Sequence, residues 1–92
     1  MEFEWDERKA TQNHPKHGIR FEAATQVFFD PNLVIEEDER FPYQEQRFKV
    51  IGAAEGKVLA VIFAEREEDT IRIISARKAN KHEREEYHQA YG

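Results

Sequence analysis

Two arginines in an apolar run are the residues of this chain most suggestive of chemistry. Arg72 and Arg77 lie within Ile71–Arg77, whose isoleucines are typical of a buried strand, yet long cations seldom leave water without a partner. An anion held on the face of a sheet would explain both. In a regular strand the two side chains point to opposite faces, so they share a site only if the strand bends or ends near Ser75. The alternatives are that Arg72 pairs with an acid on a neighbouring strand and that Arg77 begins the approach to a helix.

Lys16, His17 and Gly18 form a second candidate group, at the point where a first helix should end. The lysine is suited to a phosphate contact, and a histidine near neutrality is suited to general acid or base catalysis. The helix dipole also favours Lys and His at a C-terminus, and glycine supplies the left-handed turn that ends a helix. Helix capping is therefore the alternative to a catalytic role.

Glu45 and Arg47 form a third candidate group. They are two residues apart, so both side chains point to one face if the strand begins as early as Glu45. The pair then offers a carboxylate for proton transfer beside a guanidinium for phosphate. A surface salt bridge of little energetic value is the alternative.

The histidines and the acidic run do not form a metal site. No two of His14, His17, His82 and His88 form a pair with helical i, i+4 ligand spacing and a carboxylate partner, and residues 36–39 lack the glycine and alternation of a calcium loop. We therefore expect neither a metal nor another cofactor.

The composition predicts one domain over residues 1–92. A chain of this length buries roughly 60 to 65 per cent of its unfolded surface, enough for one modest core. The net charge of −5 argues against direct contact with nucleic acid, but residues 36–39 and 65–69 hold eight of the nineteen acids. The remaining thirteen bases and eleven acids give +2, which permits a local basic cleft. The absence of cysteine, of a leader and of a long apolar run suggests a cytoplasmic protein without membrane contact.

The periodicity predicts an α+β fold. Apolar alternation indicates strands, and stripes at i, i+3 and i+7 indicate helices. The chain should form an antiparallel meander of three to five strands, with two N-terminal helices and one C-terminal helix. The expected strands are Phe3–Trp5, Leu33–Ile35, Arg47–Ile51, Lys57–Ala64 and one from Ile71, with a loop at Phe41–Gln44. The first expected helix runs from a cap at Asp6 to Gly18 and is disturbed by Pro15, and the second covers Phe21–Phe29. The third begins at Lys81, behind a capping box formed by Asn80 and Glu83.

The order of these segments resembles the BrnT toxins of bacterial type II toxin-antitoxin systems. The resemblance runs from Phe3 to about Tyr87. Its motifs are specific as an ordered set, whereas a piece such as Lys-His-Gly is unspecific alone. They are Phe3-Glu4-Trp5-Asp6, Lys9, Asn13, Lys16-His17-Gly18, Phe21-Glu22-Ala23-Ala24, Val27-Phe28, Asp30-Pro31, Glu45, Arg47, Ile51-Gly52, Glu65-Arg66 and Ile71-Arg72-Ile73-Ile74-Ser75-Ala76-Arg77.

The resemblance implies a RelE-like fold and a metal-independent ribonuclease that arrests translation. It implies a cognate BrnA-like antitoxin with a ribbon-helix-helix DNA-binding part, so that the pair represses its own operon. The toxin would reach DNA only through that partner, as a dimer or heterotetramer in the complex.

The reaction expected of such a fold is attack by an RNA 2′-hydroxyl on the adjacent phosphate. It needs a base, an acid and cations for the developing negative charge. Either His17 or Glu45 would be the base. We predict catalytic roles for His17, Glu45, Arg72 and Arg77, and substrate binding by Lys16, Arg47 and Arg66.

Several residues depart from the family pattern. Pro15 and Arg20 stand where other residues are expected, Gln44 replaces a glycine before Glu45, and Arg66–Asp69 replaces a shorter Arg-Gly turn. The acids of that turn would weaken RNA binding. The alternatives to a ribonuclease are therefore a protein that keeps the antitoxin-docking surface with little catalysis, and a sheet domain with no toxin role.

Overall fold

The computed structural model describes residues 1–40 and 44–91, with side chains as far as Gln89 in the last helix. The loop predicted at Phe41–Gln44 lies outside this range except for Gln44. A 3-10 helix over Thr25–Phe29 follows the second helix without a break. The other elements are β1 Glu2–Trp5, α1 Glu7–His17, α2 Phe21–Ala24, β2 Val34–Asp38, β3 Arg47–Ala54, β4 Lys57–Arg66, β5 Thr70–Lys78 and α3 Lys81–Tyr91.

The five strands form one mixed sheet of order β1-β5-β4-β3-β2. Strands β2 to β5 form the predicted antiparallel meander, with short connections at Glu55–Gly56 and at 67–69. A wholly antiparallel sheet was the wrong prediction, because β1 pairs with β5 in parallel. A parallel neighbour requires a long crossover, and here almost the whole chain lies between the two strands.

The sheet has two unequal faces. Helix α1, α2 and the 3-10 helix cover one face, here called the α1 face, over a core that includes Phe21, Val50, Phe63 and Ile73. Helix α3 covers only part of the other face, the α3 face, where Ile51, Ala79 and Tyr87 are buried. Among the described helices, none lies over the part of the α3 face formed by β4, β5 and β1, where Ala60, Ile62 and Ala64 are nevertheless buried.

Helix α1 begins and ends at the predicted residues. The Asp6 carboxylate accepts from the Arg8 N–H at 2.8 Å, and Gly18, with φ of 73°, donates its N–H to the His14 carbonyl at 2.7 Å. Pro15 does not end the helix. Since it lies in the last turn, its missing N–H removes only one of the few helical hydrogen bonds remaining there.

The second predicted helix is shorter than expected. One α turn, Phe21–Ala24, changes to the 3-10 helix at Thr25, whose hydroxyl donates to the Glu22 carbonyl at 2.7 Å. The 3-10 segment packs closely on β3. A Cβ added at Gly52 would lie 3.0 Å from the Val27 carbonyl oxygen and 3.1 Å from its Cβ, so a larger residue would require Val27 to shift by a few tenths of an ångström.

Asn13 joins α1 to the sheet through its buried amide. Its Nδ2 donates to the carbonyls of Ile19 and Ala76, both at 2.8 Å, and its Oδ1 accepts from the Ala76 N–H at 3.2 Å. Asn13→Ala should lower the free energy of unfolding by about 3 kcal/mol, because buried backbone groups lose their partners. Urea unfolding measures this loss. Gln12→Ala, at the exposed neighbouring position, is the control, and an equal loss in both variants would contradict the role of Asn13.

Candidate active site

A β-bulge places Arg72 and Arg77 on the same face of the sheet. Ser75 pairs with Ile62 and Ile73 pairs with Phe63, so Ile74 is one extra residue in β5. The extra residue reverses the alternation of side chains. The bulge therefore meets the condition set above for a shared site, an irregularity near Ser75, and both arginines point to the α3 face.

Two buried alanines of β4 lie beside these arginines. Arg72 is paired with Ala64, and Arg77 with Ala60. Because Phe48 pairs with Phe63, the preceding Arg47 lies on the other side of Ala64. Two guanidinium side chains thus flank a residue whose side chain is a single methyl group.

The strand register extends this arrangement across the sheet. Asp38 pairs with Arg47 at one end, and Glu4 pairs with Arg72 at the other. We call the five positions Asp38, Arg47, Ala64, Arg72 and Glu4 the arginine row. Its cations are separated by Ala64 and bounded by acids, which favours one anionic group held between the two guanidiniums.

Arg66 lies next to the β1 end of the arginine row. Its Nε is 4.0 Å from Glu4 Oε2, and its Nη1 is 3.4 Å from Glu45 Oε2. Glu4 Oε2 is also 4.0 Å from Arg72 Nη1. An open hollow of about 560 Å³ is lined by Glu4, Glu45, Arg66 and Thr70, together with acids of the β4–β5 turn. Strand β3 begins at Arg47, so Glu45 lies before the strand and is not the strand neighbour of Arg47 considered above. Its side chain contacts Arg66.

Arg77 is held by a buried carboxylate. Its Nη1 and Nη2 donate to Oε1 and Oε2 of Glu83 at 2.6 and 2.9 Å, and Lys49 Nζ reaches Glu83 Oε2 at 2.8 Å. Glu83 is 2% exposed and also completes the predicted capping box, because it exchanges two 2.9 Å hydrogen bonds with Asn80. Arg77 therefore contacts the last helix through an ion pair with Glu83.

The electrostatics of Glu83 follow from these contacts. Burial alone would raise the pKa of its carboxyl, but hydrogen bonds from Arg77, Lys49 and the Asn80 backbone lower that pKa to about 2. The pKa of Arg77 is raised by its hydrogen bonds to Glu83. The pKa of Lys49, which burial would lower, is raised by its bonds to Glu83 and Glu36. The cluster therefore carries fixed charges at neutral pH.

Lys16 and His17 lie away from the arginine row. Both are in the last turn of α1, which packs on the opposite face of the sheet. Lys16 is exposed and His17 is half-buried. The structure therefore brings together Glu45, Arg47, Arg66 and Arg72 on the α3 face, keeps Arg77 on that face with Glu83, and leaves the Lys-His pair where helix capping suffices.

Sequence reasoning missed Glu4 as a member of the site and Glu83 as the partner of Arg77. The alternation in Glu2–Trp5 predicts a strand, but it does not say which strand lies beside it. The sequence pattern around Glu83 predicted only its helix-capping role. Its second role depends on Arg77 and Lys49, which lie on separate strands.

The described residues contain no group of three or more His, Cys, Asp and Glu side chains placed to hold a metal ion. Among the helices described, none is both long and apolar enough to cross a membrane.

Comparison with known proteins relates this geometry to a function. The model of a family described as "Ribonuclease toxin, BrnT, of type II toxin-antitoxin system" matches residues 5–83. The crystal structure of the Brucella abortus ribonuclease toxin BrnT aligns with a TM-score of 0.66 and 30% sequence identity, covering 88% of this chain and 99% of that chain. Among curated proteins, none matches the chain. The matched range contains every predicted site residue, but it begins after Glu4.

Proposed function

Because the chain belongs to the BrnT family, the ribonuclease toxins of type II toxin-antitoxin systems, we propose that it is an RNA-cleaving toxin acting through the α3 face. The observation that carries this proposal is the arginine row, in which Arg47 and Arg72 flank the buried Ala64 on the α3 face. Arg66 adds a third guanidinium at its end. The side chains of Arg72 and Arg66 are 34% and 44% exposed, so a phosphodiester laid over the row would meet their guanidiniums.

The proposed reaction is attack of the RNA 2′-hydroxyl on the adjacent phosphate without a metal ion. Arg47 and Arg72 neutralise the negative charge that develops on the phosphate oxygens, and Arg66 binds the neighbouring backbone. Arg77 keeps N–H groups beyond those it donates to Glu83, since a guanidinium carries five. These roles need no movement of the sheet.

Proton transfer belongs to a group on the same face as the phosphate. Glu45 satisfies that condition through its contact with Arg66, whereas His17 and Lys16 lie at the end of α1 on the other face. We assign proton transfer to the α3 face, and we assign an auxiliary phosphate contact to Lys16 for RNA that extends beyond the sheet edge.

The partner of the proposed toxin is an antitoxin, since the family is defined by type II systems. We propose a BrnA-like protein with a ribbon-helix-helix part, which binds DNA for both chains in a dimer or heterotetramer. The net charge of −5 supports this division of labour, because an acidic chain gains little from direct DNA contact. RNA cleavage by the free toxin would inhibit translation in the cytoplasm, where its substrate is.

A second candidate function is an antitoxin-binding co-repressor with little catalysis. It is favoured by the acids that face the described arginines. Glu45 contacts Arg66, Glu4 lies beside Arg72, and Glu83 holds Arg77. An RNA phosphate must compete with these carboxylates, which lowers its affinity for the face.

Incubation of the purified protein with RNA in EDTA separates the two functions. We expect cleavage in EDTA, because guanidinium groups take the place of a metal. The products should end in a 2′,3′-cyclic phosphate, because the 2′-hydroxyl is the attacking group. Mass spectrometry of the products identifies that end. Intact RNA at high protein concentration, with antitoxin binding retained, would establish the co-repressor instead. Cleavage only after Mg²⁺ addition would contradict the metal-independent reaction.

A further inference from the structure

The carboxylate of Glu4 occupies a position suited to catalysis. It extends from β1 onto the α3 face at the end of the arginine row, where the parallel register sets it beside Arg72. Resting on the RNA cleavage proposed above, we infer that Glu4 is the general base that accepts the proton of the RNA 2′-hydroxyl.

Distances around Glu4 support a base rather than a salt-bridge partner. Its Oε2 is 4.0 Å from both Arg66 Nε and Arg72 Nη1. These separations exceed the range of a charge-assisted hydrogen bond, which is about 2.7 to 2.9 Å. A phosphate oxygen can therefore bind the guanidiniums while the carboxylate, 45% exposed, keeps an oxygen for the hydroxyl proton.

The other acids of this face are less suitable. Glu45 lies outside the strands and, among the ion pairs of the described residues, contacts one arginine, Arg66, at 3.4 Å. Glu83 is buried, and both of its oxygens accept from Arg77 and Lys49. Glu4 combines exposure, a position on a strand and proximity to two guanidiniums, and a rigid element holds a reacting group more accurately than a loop does.

The proton and electron balance of the step is complete. The 2′-hydroxyl proton passes to Glu4 Oε2 as the 2′-oxygen forms its bond to phosphorus. The bond from phosphorus to the 5′-oxygen of the next nucleotide breaks, and that oxygen takes a proton from solvent water. Glu4 then returns its proton to solvent. The products are a 2′,3′-cyclic phosphate and a 5′-hydroxyl.

The test compares Glu4→Gln with Glu45→Gln and with Glu2→Gln, a control at an exposed position on the same strand. Two quantities are measured in EDTA: the single-turnover cleavage rate, and the affinity for RNA with a 2′-deoxy group at the cleavage position. We expect Glu4→Gln to lower the rate at least ~100-fold, which is the usual contribution of a general base. Its affinity for the 2′-deoxy RNA should be unchanged or higher, because an anion beside the phosphate site is removed. Glu2→Gln should change the rate less than ~3-fold.

Each other outcome overturns the inference in a recognisable way. Unchanged or faster cleavage by Glu4→Gln would show that Glu4 only competes with phosphate. A loss of cleavage rate in proportion to a loss of RNA affinity would show that Glu4 has a structural role. In that case Glu4→Asp, which keeps the carboxylate, should restore neither the cleavage rate nor the RNA affinity. If the parent cleaves RNA and only Glu45→Gln is inactive, the base is Glu45 and the proposed function stands. If the parent does not cleave RNA, the proposed function and this inference both fail.

Discussion

Arg72→Ala should lower the rate of RNA cleavage about 10²- to 10³-fold, the usual effect of removing one preorganised donor from a developing oxyanion. Arg72 is the arginine that the bulge turns onto the α3 face, and it lies between Ala64 and Glu4. Its side chain is 34% exposed, so its removal also loses some packing, and the melting temperature should fall by a few degrees while the variant stays folded. Single-turnover kinetics with RNA and a thermal melt of the same preparation measure the two effects.

A matched control separates the site from the total charge. Arg8→Ala removes one positive charge from an exposed position on α1, away from the arginine row, and should change the rate less than ~3-fold. Arg72→Lys keeps the positive charge but lacks the planar guanidinium, so its cleavage rate should lie between those of the parent and of Arg72→Ala. The assignment fails if Arg72→Ala, expressed in a sensitive host, arrests growth as fully as the parent.

Glu83→Gln should destabilise the fold by about 3 kcal/mol, since it removes the acid shared by two partly buried cations. Arg77 and Lys49 would face each other across a neutral amide, although Lys49 keeps Glu36 at 2.9 Å. Urea unfolding at pH 7 measures the loss. Glu86→Gln is the control on the same helix, because Glu86 contacts only the exposed His82 among the ion pairs described, and it should change stability by less than ~0.5 kcal/mol. A loss below ~1 kcal/mol for Glu83→Gln would contradict the role of this cluster.

The same variant should change how stability depends on pH. The pKa of Glu83 is about 2 in the folded chain, against an ordinary value of 4.5. As the pH falls, the unfolded chain binds the proton first, so the contribution of Glu83 is complete above pH 4.5 and is lost towards pH 2. Asp30 and Asp38 also have lowered pKa values, so the difference between parent and Glu83→Gln isolates the Glu83 share. That difference should shrink over this interval, and a constant difference would be the contrary result.

Features that depend on neighbours in the chain were predictable from sequence. The caps at Asp6, Gly18 and Asn80 each require two groups within a few residues, and the structure contains all three. The meander also followed from alternation and turn residues. The sequence also showed that an irregularity near Ser75 was needed for the two arginines to share a site, because residues five positions apart cannot share a face of a regular strand.

Features that depend on distant pairing were not predictable. Alternation identified β1, but its position beside β5 follows from the packing of Phe3 and Trp5 against the core. The register that sets Glu4 beside Arg72 therefore has no local signature. The 3-10 helix was not predicted either. It packs closely on β3 where Val27 meets Gly52, and this contact joins residues far apart in the chain. The structure places Arg72 and Arg77 on one sheet face, while their catalytic roles stay a prediction. The acids beside them, Glu4 and Glu83, come from distant elements and were not singled out.

The pairing of β1 with β5 also determines when the arginine row can form during synthesis of the chain. The ribosome makes Glu4 well before Arg72, and β1 lacks the strand beside which it lies until β5 has emerged. Long-range pairing of this kind comes late in folding. A product of interrupted translation that ends before β5 lacks Arg72 and the partner of β1. Under the proposed function, such a fragment would be unable to cleave the RNA on which it is being made.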